Sequence, residues 1–394
     1  MKKIVFSLII ILLSWETMAQ QPHFQQEMKA VEENNALLKA AALQRDAKQQ
    51  EAHVGVLLHN PEVEGAYYWG SPVEIGKRWD LSVSQSFDMP SVIARKVRLR
   101  NLEENAAKLD YEVLRNRLMY ETQQVCADLV YYSAVANLWD ARTGTACNIV
   151  DLYAKRLAAG DCSILDYNRA QMSQAEVQRA AAEAVMNARD LMTQLNILTG
   201  KESYDFRAEV YEEVDLPGNF GEWYKQWEMD NPELRVLGNQ VDMSEQQASL
   251  SRAEWLPEMS LGYASENVVG ETFRGVTLGL TLPIWSQPRA TKAAKLHAQA
   301  AGQELQAQRL ALYAKQECLF HHLYALRLNI NNLVSAYERY GSMTLLYKAL
   351  EAGEIELEQY LQQTDALIDV QLQILELRRE FELGWLQLNA GRIK

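Results

Sequence analysis

Val276-Thr277-Leu278-Gly279-Leu280-Thr281-Leu282-Pro283-Ile284 places an apolar residue at every second position. A β-strand turns successive side chains to opposite faces, so this stretch reads as a strand with one greasy and one small or polar face. An earlier stretch has the same period, Leu81-Ser82-Val83-Ser84-Gln85-Ser86-Phe87. Each has a neighbour that alternates too. Val63, Gly65, Tyr67 and Trp69 share a face in one, and Met259, Leu261 and Tyr263 in the other, with Ser260, Gly262 and Ala264 opposite. Four strands are expected, at about 61–69, 78–87, 257–266 and 273–284. Alternation over this length fits strands with lipid on one side and water on the other, and equally a soluble two-sided sheet.

The aromatic residues favour lipid. Trp255 and Trp285 bracket the second hairpin near its base, and Trp69 and Trp79 lie towards the turn of the first with Tyr67 and Tyr68. Trp and Tyr at the ends of an apolar band read as interfacial girdles, with Val276, Leu278, Leu280 and Leu282 as the lipid-facing row. Hydrocarbon does not tolerate the bare edges of an open sheet, so membrane strands here require several chains to close a barrel.

Working outward, the prolines map the rest. None of the 9 lies between Pro90 and Pro217 or after Pro288. Proline breaks helix interiors, so both stretches are free to run as very long helices. From Ala290 to near Tyr340 a helix would span about 75 Å at about 1.5 Å per residue. Leu305, Leu312, Leu319, Leu326 and Leu333 recur at sevens, joined by Leu323 and Ile330; the return helix repeats this with Leu367, Ile374, Phe381 and Leu388. A strict heptad makes antiparallel helices supercoil around neighbours.

Each half of the chain therefore reads as helix, hairpin, helix, tight turn, helix: residues 20–200 and 228–394, joined by a connector at 201–227 holding Pro217 and Gly218. The tight turns echo one another at about 157–166 and 350–359. Ala159-Gly160-Asp161 matches Ala352-Gly353-Glu354, and Tyr167 matches Tyr360. Glycine suits the left-handed end of the incoming helix, and Ser163 with Asp166 three residues on makes a capping box for the outgoing one.

Residues 1–19 read as a signal peptide: a basic Met1-Lys2-Lys3, an apolar run from Ile4 to Trp15, and Thr17-Met18-Ala19 before the cleavage site. The mature chain is therefore expected to be exported, and to enter a membrane only as strands. A net charge of -13 argues against binding nucleic acid. Cys126, Cys147, Cys162 and Cys318 show no CxxC spacing; they read as small apolar groups in helix seams or as disulfide partners whose pairing the spacing does not choose. Cys318, His321 and His322 share one helical turn, but sit within the leucine heptads and read as a surface or seam group rather than a metal site. No cofactor is expected. With no glycine-rich phosphate loop, GxSxG or HExxH, neither is an enzyme.

Asn231-Pro232-Glu233-Leu234, Trp255-Leu256-Pro257, Gly275 through Ile284, and Gly353 followed by Gln359-Tyr360 together resemble the TolC-type outer membrane efflux proteins, across nearly all of the mature chain. The short connector resembles the subfamily paired with heavy-metal pumps of the resistance-nodulation-division class. The resemblance implies a mainly α chain with a small transmembrane β part. Its long antiparallel coiled-coil helices would form an α-barrel, and its four strands one third of a 12-stranded trimeric β-barrel. It implies a homotrimer in outer membrane lipid acting as a passive gated conduit, with a periplasmic adaptor protein and an inner membrane pump as partners.

At the tips, Arg156, Leu157, Gly160, Leu350 and Gly353 would meet the adaptor, and Asp161, Asp166, Glu354, Glu356 and Glu358 would form a charge ring at the gate. The family pattern places an acid six residues after the tip glycine. Asp166 keeps it and Gln359 departs from it. The alternative functions are the conduit of a type I protein secretion or drug efflux system, or a soluble periplasmic coiled-coil adaptor.

Overall fold

A computed structural model describes residues 24–56, 58–283 and 287–392. The expected signal peptide and Trp285 lie outside the described residues. In chain order come α1 (Gln25–Asn34), α2 (Ala36–Val54), β1 (Glu62–Trp69), β2 (Lys77–Phe87), α3 (Pro90–Ala159) and α4 (Ile164–Thr199). They are followed by α5 (Phe220–Asp230), α6 (Pro232–Ala253), β3 (Glu258–Val268), β4 (Glu271–Thr281), α7 (Gln287–Tyr340), α8 (Met343–Ala352) and α9 (Leu357–Asn389). No described helix is long and apolar enough to cross a membrane.

The proline-free stretches are helical as expected. α3 runs unbroken for 70 residues and α7 for 54. Two breaks escape the sequence reading. Asn35 ends α1 and caps α2: its Oδ1 accepts from the Leu38 amide at 3.0 Å, while its Nδ2 donates to the Leu198 carbonyl at 2.8 Å. After α7, a Cβ on Gly341 would come within 2.8 Å of the Tyr337 carbonyl, and Ser342 then caps α8 by accepting from the Leu345 amide at 3.3 Å. The connector is also shorter than 201–227, because α5 begins at Phe220.

The chain divides into two compact units. One gathers the chain up to Lys39 with Arg115–Tyr224 and Lys315–Lys394. Its seams are apolar. Cys126, Ala127 and Leu323 are fully buried, and Gly384 lets α9 approach α7 so closely that a Cβ there would sit 2.8 Å from Leu323. Arg379 Nε donates to Asp128 Oδ1 at 2.6 Å across α9 and α3. All four cysteines are free thiols, and burial raises that of Cys126.

The other unit, Ala40–Leu114 with Lys225–Ala314, holds the sheet. Its strands lie in the order β1-β2-β3-β4, all antiparallel. The two hairpins are joined through β2 and β3, where Val83 faces Tyr263 and Phe87 faces Met259. β4 stops at Thr281, shorter than the expected 273–284, because Pro283 has no amide to add to a ladder. Leu282, read as part of the lipid-facing strand, therefore lies one residue beyond it, exposed.

Candidate functional site

Two features carry the functional argument: the sheet, and the paired helix tips. The register sorts the sheet's side chains into two faces. On one, Val63, Val83, Tyr263 and Val276 lie in a row across the four strands. Below them Leu261 faces Leu278, and Phe87, Met259 and Leu280 form the last row. These residues belong to no core. Leu278 is 79% exposed, Val276 71% and Val63 66%. Contiguous exposed apolar surface of this kind marks an interaction or membrane face. From the Leu81 row to the Phe87 row the band is about 20 Å tall at about 3.4 Å per residue, close to the ~25 Å apolar belt of membrane barrels.

The opposite face is small and polar over most of its length, with Ser82, Ser84, Ser86, Ser260, Gly262, Ala264, Gly275, Thr277 and Gly279, and carries Tyr68, Val268 and Phe273 towards the hairpin turns. Gly262 is required here, since a Cβ would come within 2.5 Å of Thr277 Oγ1 and 2.8 Å of the Val83 carbonyl. Arg78 lies on this face, held by Asp80 at 2.8 Å and Glu266 at 3.1 Å. Small side chains on one face and large ones on the other suit a sheet that curls towards the small face, as a barrel wall does. Among the described residues, β1 pairs only with β2 and β4 only with β3, so each has one unpaired edge.

Aromatic side chains stand at both ends of the apolar band. Tyr67 faces Trp79 towards the hairpin turns, and Tyr67 and Trp69 have ring centroids 6.0 Å apart. Trp69 is 76% exposed. Trp255, just before β3, is half exposed and donates its indole N–H to Thr291 Oγ1 at 3.1 Å.

The tips share one backbone device. Gly160 and Gly353 both adopt positive φ, 81° and 75°, and end their helices left-handed. The Asp161 amide donates to the Arg156 carbonyl at 2.8 Å, and the Glu354 amide to the Ala349 carbonyl at 2.9 Å. The capping box is present: Ser163 Oγ accepts from the Asp166 amide at 3.1 Å, and the Ser163 amide donates to Asp166 Oδ2 at 3.1 Å. Ser163 Oγ also donates to Asp166 Oδ2 at 2.7 Å, and this bond, with that from the Ser163 amide, holds the Asp166 carboxyl below the usual aspartate range. Glu356, at the matching position of the second tip, makes no such side-chain cap.

The tips also pack on each other. Ile149, Tyr153 and Ala170 of the first hairpin bury against Leu350, Leu357, Tyr360 and Leu361 of the second. Arg156 Nη2 donates to the Leu350 and Glu351 carbonyls at 3.0 and 3.2 Å, and Arg169 pairs with Glu358 at 3.1 Å. Leu350, read as an adaptor contact, is fully buried, and in this arrangement it packs the tip core. The exposed apolar residues of the tip are instead Ile164 and Leu165, which the sequence reading passed over; an apolar pair in the first turn after the Ser163 cap was the available signal. Asp161, Gly160, Gly353, Glu354, Glu356 and Glu358 are exposed, and Leu157 is half-buried. His322 pairs with Glu380 at 3.0 Å, and the His321 ring lies edge-on to Phe320. Among the described residues, no three His, Cys, Asp or Glu side chains gather as a metal set.

No protein-family model matches the chain, and no curated protein matches it. Solved structures do. The CmeC outer membrane channel of Campylobacter jejuni superposes with a TM-score of 0.78 at 16% identity, over 93% of this chain and 84% of that one. The outer membrane protein VceC of Vibrio cholerae gives 0.75 at 14%, over 93% and 95%. The open state of the Neisseria gonorrhoeae MtrE outer membrane channel gives 0.65 at 16%, over 94% and 89%. The fold is therefore that of the TolC-type outer membrane channels: long helices with a four-stranded antiparallel sheet.

Proposed function

We propose that the chain is one subunit of an outer membrane efflux conduit. Three copies would join β4 of one to β1 of the next, closing 12 strands around a polar lumen with the Leu278 face against lipid. The observation that carries this reading is an exposed apolar face on a sheet with two unpaired edges. In hydrocarbon every backbone group needs a partner, and ring closure supplies the missing ones. The likeness in fold to outer membrane channels supports the same reading.

In this reading the conduit is passive and catalyses nothing. An inner membrane pump of the resistance-nodulation-division class supplies the work, and a periplasmic adaptor engages the tips through Leu157, Gly160, Gly353 and the exposed Ile164–Leu165 pair. Repeated threefold, Asp161, Glu354, Glu356 and Glu358 set a cation-attracting ring at the gate. Asp166 serves that ring less directly, because its carboxylate is held by Ser163. Heavy-metal cations as cargo rest on the short connector alone.

Cell fractionation tests the function. The protein should stay with the outer membrane and need detergent for release, and its deletion should lower tolerance to toxic metals or small amphiphiles. Recovery in the soluble periplasm would end the conduit reading, and unchanged tolerance would end the efflux assignment.

A further inference from the structure

The break between α7 and α8 adjoins a cavity. Gly341 and Ser342 separate the two helices, and Met343 and Thr344, the first residues of α8, line one wall. Arg142 and Thr145 of α3 and Tyr360 and Ile368 of α9 line the others. All of these residues belong to one compact unit, and the cavity measures about 420 Å3. Small-molecule pockets span about 300–1,000 Å3 and combine apolar walls with a few placed polar groups, as this one does. Thr344 lines the cavity and is exposed, so it marks the opening to solvent. Among the described residues that line the cavity, Arg142 alone is charged.

The guanidinium of Arg142 is under-used. Its Nη1 is bonded to the Tyr360 hydroxyl, while Nε and Nη2 have no hydrogen-bond partner among the described residues. Asp365 feels the charge from outside the cavity lining. Thr364, fully buried one turn beyond Tyr360 on α9, has an orphan hydroxyl as well. Buried polar groups are nearly always satisfied, so orphans gathered beside a cavity point to a ligand that supplies their partners. A guanidinium stays charged throughout the physiological pH range and meets a carboxylate with two parallel hydrogen bonds.

We propose that this cavity binds a small organic anion, a carboxylate on an apolar body, with Arg142 as its anchor. The carboxylate would pair with the guanidinium, and Leu138, Met343 and Ile368 would cover the apolar part. An inorganic ion would leave those walls bare, and a neutral ligand would leave the buried charge uncompensated. The inference is independent of the conduit reading, because every wall lies within a single chain.

The test is equilibrium dialysis of the detergent-purified protein against naphthoate and against its neutral amide, each corrected for uptake by detergent alone. One naphthoate per chain should bind saturably, about tenfold or more tighter than the amide, which is the scale of a hydrogen bond to a charged group. An equal concentration of inorganic phosphate should leave it bound. The double variant Arg142→Met with Tyr360→Phe should bind acid and amide alike. Thr344→Trp, an exposed substitution at the opening, should weaken naphthoate binding several-fold while circular dichroism stays that of the wild type. Equal binding of acid and amide by the wild type, displacement by phosphate, or undiminished naphthoate binding in either folded variant would overturn the proposal.

Discussion

Arg142 Nη1 donates a 3.1 Å hydrogen bond to the Tyr360 hydroxyl and links α3 to α9, with the guanidinium 5.7 Å from the centre of the tyrosine ring. It is a costly link. Arg142 is 6% exposed, and its Nε and Nη2 have no hydrogen-bond partner among the described residues, although Asp365 lies near enough to feel its charge. Removing the hydroxyl leaves the buried cation still less satisfied, at a cost of about 1–3 kcal/mol. Replacing both partners together with apolar side chains of similar shape removes the burden, and such double exchanges are often neutral or stabilising. Tyr360→Phe should therefore lower thermal stability, and the double variant Arg142→Met with Tyr360→Phe should restore part or all of the loss. A double variant that melts no higher than Tyr360→Phe alone would show that the link stabilises the seam outright.

Acid should loosen the first tip before the second. The Asp166 carboxyl is held below its ordinary range by Ser163, so its contribution is present at neutral pH. That contribution is lost as pH falls from about 4 through the lowered value. Glu356 has no equivalent cap. Hydrogen exchange at the Asp166 amide should quicken across that window in the wild type, and Ser163→Ala should remove the step. A step of equal size in the variant would assign it to another group.

Gly353 holds φ at 75° with open space around its missing side chain, so any penalty on substitution is conformational. Gly353→Val places a β-branched residue where left-handed backbone is strained, at about 1–3 kcal/mol. Export should fall with that variant more than with Gly144→Ala, which lies within α3 with nothing near its Cβ position. Equal export by the two would dissociate the tip geometry from function.

The two sheet faces should fail differently. Leu278→Asp puts a charge on the apolar face, at a cost somewhat below the about 2–4 kcal/mol of an Arg or Lys at the membrane midplane, so yield from the membrane should fall. Gly262→Val drives a side chain into Thr277 and the Val83 carbonyl on the crowded face, distorting the sheet with no change in charge. Full recovery of Leu278→Asp from the membrane would mean that lipid does not cover that face.

The strands were legible because a period of two is local: Val276, Leu278 and Leu280 declare one face without reference to anything else in the chain. The glycines at 160 and 353 and the Ser163–Asp166 box were legible for the same reason. What escaped depends on distant partners or on a single small residue inside a helical run. Asn35 breaks a helix while its side chain meets Leu198, far away in sequence. The Gly341–Ser342 interruption resembles any tolerated helix glycine until the Tyr337 contact is seen. Arg142 carries no signal in its own segment, since its partner lies on α9. Leu350 looked available at the tip, and only the packing of the two hairpins buries it.

The central claim is that the sheet is completed by other copies of the same chain. The direct measurement is the mass of the detergent-released particle, taken with disulfide cross-linking of single cysteines placed on the outer edges of β1 and β4. Three chains per particle, with cross-links that join β4 of one copy to β1 of another, are the predicted result. A single chain that stays water-soluble without detergent, or a particle whose β1 and β4 edges never cross-link between copies, would contradict it.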